Sequence, residues 1–90
     1  MYAYLKIINS TSYPVISVEE DGQNLAGQIL AGECSPLYPV GAGSLALLVR
    51  QHTDRPFLSI WMAIAPETQK TLVIEDETAY FARTNPLPNP

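Results

Sequence analysis

The sequence predicts an all-β domain built as a two-sheet antiparallel β-sandwich, and three observations carry that expectation. Short apolar runs recur at intervals of roughly eight to twelve residues, the spacing of strands in a sandwich. Turn-forming residues separate the runs: Pro14, Asp21-Gly22, Gly32, Gly41-Ala42-Gly43 and Pro66. No window of about eleven residues combines helical periodicity with end caps and freedom from Gly and Pro. Seven or eight short strands are expected, with a small open or closed barrel as the alternative.

Ninety residues allow one domain, expected over residues 1–83, with a Pro-rich extended tail at 84–90. A chain of this length buries about 60 to 65% of the surface that its unfolded form exposes, so its core is small. A composition 47% apolar and 16% charged belongs to a folded globule rather than to a disordered tail. A net charge of −4, with five dispersed Lys and Arg, cannot form a phosphate-neutralising stripe, so no nucleic acid partner is expected. Cationic peptides and neutral ligands are compatible with that charge.

Cys34 is the single cysteine, which rules out an intrachain disulfide, and it reads as a half-buried small apolar residue. The opening Met1-Tyr2-Ala3-Tyr4-Leu5-Lys6 has neither the basic nor the apolar region of a signal peptide. That points to the cytoplasm, with export the alternative for a chain that has lost its leader. No run approaches the roughly 20 apolar residues of a membrane-spanning helix, so membrane insertion is not expected.

Residues 2–8 alternate, with Ala3, Leu5 and Ile7 on one face and Tyr2, Tyr4, Lys6 and Ile8 on the other, as in a strand covered fully on one side. Residues 9–14 form a polar loop whose short side chains can bond back to the backbone. Asn9-Ser10-Thr11 is formally a glycosylation sequon, but Asn9 reads as an ordinary turn residue. Residues 15–19 make a second strand with Ile16 and Val18 inward, ending in Asp21-Gly22, the strongest hairpin signal in the chain. The return over residues 24–30 is interrupted by Gly27 and is expected to be bent or bulged. Pro36 and Pro39 confine residues 34–40 to an edge or to a crossing between sheets, followed by a turn over 39–43.

Residues 44–64 read as the long central hairpin. Leu45, Leu47 and Val49 point inward on its first arm, and Leu58, Ile60, Met62 and Ile64 on its second. Phe57, Ser59, Trp61 and Ala63 share the opposite face, and a seven-residue loop over 50–56 holds His52 and Asp54. After a turn over 65–69, residues 70–75 form a strand with Leu72 and Ile74 inward. Residues 78–83 are a last β-prone segment, either an added edge strand or an ordered tail.

The order of these segments resembles a widespread bacterial family of uncharacterised function, the DUF4397 type. The resemblance rests on Leu5-Lys6-Ile7-Ile8-Asn9-Ser10-Thr11, Tyr13-Pro14-Val15-Ile16-Ser17-Val18 with Asp21-Gly22, and Tyr38-Pro39-Val40-Gly41-Ala42-Gly43. Pro56-Phe57-Leu58-Ser59 and the stretch from Ala65-Pro66 to Leu72-Val73-Ile74 extend it, so that it covers about residues 3–76. The family often has an Asp near the position of Ser17 here, and its small-residue turn often follows a His where this chain has Asn9. The resemblance implies an immunoglobulin-like or transthyretin-like sandwich, in a family of exported or surface-associated modules, and implies no reaction.

The chemistry-bearing residues do not assemble into a catalytic pattern. Glu19, Glu20 and Asp21, and again Glu75, Asp76 and Glu77, lie where strands meet turns and read as solvated charge. A Ca²⁺ site would need the two clusters to meet in space. His52, Asp54 and Cys34 lack a metal-ligand spacing, and Ser35, Ser44 and Ser59 have one His between them and no nucleophile elbow. Neither an enzyme, nor a metal, nor a cofactor is expected.

The remaining signal is aromatic. Trp61 either covers one end of the core or, turned outward with Phe57, lines a peptide-binding face, a subunit interface or a carbohydrate-stacking surface that Tyr2 and Tyr4 extend. The expectation is a non-catalytic module with a structural or protein-interaction role, as a homodimer or with another protein. A carbohydrate- or small-ligand-binding module is the alternative.

Overall fold

The computed structural model describes residues 2–51 and 55–82. Among these residues there are eight strands and no helix: β1 (Tyr2–Asn9), β2 (Val15–Glu20), β3 (Gln23–Leu30), β4 (Tyr38–Gly41), β5 (Gly43–Gln51), β6 (Pro56–Ile64), β7 (Gln69–Ile74) and β8 (Ala79–Phe81). They form two four-stranded sheets, ordered β4-β1-β7-β8 and β3-β2-β5-β6. Neighbours run antiparallel except β1 and β7, which pair in parallel from Tyr4 opposite Gln69 to Asn9 opposite Ile74. The chain is thus a two-sheet β-sandwich. In the constant-type immunoglobulin arrangement the first two strands are neighbours in one sheet. Here β1 and β2 lie in opposite sheets, so the chain does not have that arrangement.

The core follows from alternation. Ala3, Leu5 and Ile7 of β1, with Leu72 and Ile74 of β7, meet Ile16 and Val18 of β2 and Leu45, Leu47 and Val49 of β5, all at most 1% exposed. Each set occupies every second position of its strand, so each sheet turns one apolar face inward. Truncating a side chain as enclosed as Leu5 to Ala costs about 2–5 kcal/mol.

Turn chemistry behaves as its residues dictate. Asp21 and Gly22 take φ of 51° and 81° between β2 and β3, the paired positive values of a two-residue hairpin turn. In β3 the register against β2 slips twice, so this strand is bulged on both sides of Ala26. In the polar loop, the buried Asn9 amide donates to the carbonyls of Ile29 (3.0 Å) and Tyr13 (3.3 Å), and its Oδ1 accepts from Thr11.

Several local expectations are corrected. Residues 39–43 are not a turn: β4 runs to Gly41 and Ala42 alone links it to β5. Arg50, Gln51 and Pro56 belong to strands, which shortens the loop of the central hairpin; His52 and Asp54 lie outside the described residues, as does the tail at 84–90. Cys34 is exposed rather than half-buried. Its neighbour Ser35 turns inward instead, accepting the Ile7 N–H on Oγ at 2.8 Å while its own N–H donates to the Ile7 carbonyl at 2.8 Å.

Candidate interaction surface

Trp61 occupies the middle of β6, the edge strand of the β3-β2-β5-β6 sheet. Its neighbours Ile60 and Ile64 are buried, so alternation turns the indole outward, where it is 77% exposed. It therefore does not cover the core. Ala46 stands directly opposite it on β5, and Leu48, 36% exposed, stands opposite Ser59 on the same outer face. Together they make an apolar centre with small residues, Ser59 and Ala63, on either side of Trp61 along β6.

One flank of this centre is a cleft of about 500 Å³. Glu20, Asp21 and Gln23 line it around the β2–β3 turn, Gly41 and Ala42 from the crossing between sheets, and Ser44, Ala46 and Trp61 from the hairpin. The wall is thus aromatic on one side and acidic or hydrogen-bonding on the other. Elsewhere on the same sheet, Arg50 Nε donates to Glu19 Oε1 at 2.6 Å and its second nitrogen reaches Oε2 at 3.4 Å, a two-point pairing across β2 and β5.

The other aromatic residues are placed differently. The β5–β6 register runs Arg50 opposite Pro56 and Val49 opposite Leu58, so Phe57 is an extra, bulged residue. Its ring is half-buried against the core and lies 4.6 Å, centroid to centroid, from Tyr13. Tyr2 and Tyr4 are 65% and 46% exposed on the outer face of β1, which belongs to the other sheet. Outer faces of a sandwich look in opposite directions, so Trp61 does not share its surface with the β1 tyrosines. Leu48 and Ala46 are the neighbours that sequence reading does not attach to Trp61. Strand alternation alone places them outward, but only the hairpin register puts them beside it.

The acidic clusters stay apart. Ser12 N–H donates to Asp76 Oδ1 at 2.6 Å before β2 begins, whereas Glu20 and Asp21 close the far end of that strand, about 20 Å away for six extended residues. Among the described residues no three of His, Cys, Asp and Glu group around a possible metal position. Ser35 is buried in backbone hydrogen bonds, Ser44 lines the cleft, and Ser59 is exposed on β6. Among the described residues no helix is long and apolar enough to cross a membrane. Comparison of the chain with protein-family models, with curated proteins and with solved structures finds no match.

Proposed function

We propose that this chain is a non-catalytic β-sandwich module of the DUF4397 type that works by protein interaction through the outer face around Trp61. One observation carries the reading: the single tryptophan, the residue type most enriched at interaction hot spots, is 77% exposed at the middle of an edge strand. Exposed indole costs solubility and contributes little to the fold, and across the hairpin and along β6 it has Ala46, Ser59 and Ala63 as small neighbours, with Leu48 beside Ser59. Edge strands also offer unpaired backbone groups, so a polypeptide partner gains both hydrogen bonds and an aromatic anchor.

A second reading has a specific support in the cleft. An indole face opposite Gln23, Ser44 and the carboxylates of Glu20 and Asp21 also suits a sugar ring or another small polar ligand.

The two readings separate in one screen. Wild-type and Trp61→Ala proteins are offered side by side to a displayed peptide library and to a glycan array. Protein interaction predicts peptides whose binding falls roughly tenfold or more in the variant, while thermal unfolding is unchanged within a few degrees. Glycan binding that depends on Trp61, with no polypeptide bound, would replace the first reading with the second.

A further inference from the structure

We infer that the partner is a second copy of this chain, joined along β6 in antiparallel pairing about a two-fold axis centred on Trp61. The inference rests on the interaction reading above and names its partner. It follows from comparing the four sheet edges. β4 has four residues and carries Pro39, β8 has three, and β3 is distorted by two bulges. Short length, proline and bulges are the devices by which natural sheets block pairing with another chain. β6 uses none of them over its central part: it has nine residues and no charged side chain, its one proline is the first residue, and its pairing with β5 is regular from Leu58 to Ile64.

The sequence of that regular segment is self-complementary. Centred on Trp61, it sets Ser59 opposite Ala63 of the second copy on the outer face, small against small, so the two indoles can meet at the axis. On the inner face it sets Leu58 opposite Ile64 and Ile60 opposite Met62, aliphatic against aliphatic. Leu58 and Met62 are only partly buried in the single chain, so this pairing has surface left to cover. The chain carries a net charge of −4, yet β6 brings no like charges together across the axis. The product is one continuous eight-stranded sheet, with a two-fold isologous contact.

The register makes the inference testable by disulfide formation. In a Cys34→Ser background, Ser59→Cys and Ala63→Cys proteins are prepared separately, oxidised alone and oxidised as a mixture. Residues 59 and 63 of different copies face each other within disulfide reach, whereas like positions are about 13 Å out of register. The mixture is expected to give covalent dimers at several times the yield of either protein alone, and wild-type sedimentation is expected to show a mass rising from 9.9 kDa towards twice that with concentration. Equal cross-linking of Ser59→Cys alone would overturn the register. A wild-type chain that stays monomeric at millimolar concentration would overturn self-pairing. If that monomer still captures peptides through Trp61, the interaction reading stands; if it captures none, both fall.

Discussion

Asn9 Oδ1 accepts two hydrogen bonds from Thr11, one from its backbone N–H at 3.0 Å and one from its hydroxyl at 2.6 Å. The same side chain donates from Nδ2 to the Ile29 carbonyl, and Asn9 is fully buried. One amide therefore ties the end of β1, the loop before β2 and the end of β3 together.

Asn9→Ala removes both ends of this arrangement and leaves buried backbone groups without partners. A loss of about 2–4 kcal/mol is expected, at 1–3 kcal/mol for each unsatisfied group. For a domain of this size that lowers the melting temperature by roughly 10–25 °C. Urea denaturation at low protein concentration measures it, and a loss below about 0.5 kcal/mol would show that the loop holds without Asn9.

A methyl group added at Gly22 would meet open space, so the role of this glycine is in the backbone alone, where its φ is 81°. Gly22→Ala should cost about 1–2 kcal/mol from left-handed strain. Asp21→Asn, which keeps a side chain tolerant of that region at φ 51°, should change stability by less than about 0.5 kcal/mol. Comparing the two midpoints in urea checks both.

Much of the fold is readable in the sequence because its determinants are local. Alternation in residues 3–7, 16–18, 45–49 and 72–74 identifies the inward faces, and Asp21-Gly22 identifies its turn. What is not readable depends on register. Nothing in Pro56-Phe57-Leu58 announces that Phe57 is the bulged residue, and the bulge is what sends its ring towards Tyr13 while Trp61 keeps the outer face. The parallel pairing of β1 with β7 is a contact between distant segments, for which no turn signal exists. Cys34 is misread from sequence because the Ile7–Ser35 hydrogen bonds, invisible there, decide which of two adjacent residues turns inward.

Arg50 and Glu19 are paired at two points but remain partly exposed, with side-chain exposures of 31% and 24%. A double-mutant cycle with Arg50→Met and Glu19→Gln should give a coupling of about 0.5–1 kcal/mol at low salt, falling towards zero near 1 M salt. A coupling independent of salt would mean that geometry and packing, rather than charge, link the two side chains.

The most direct test of β6 as a pairing edge is amide hydrogen exchange of residues 58–64 at increasing protein concentration. Self-pairing about Trp61 predicts that alternate amides of this segment, those pointing away from β5, exchange more slowly as concentration rises, while amides of β4 and β8 do not change. Exchange of the outward β6 amides at one rate from micromolar to millimolar protein would contradict it.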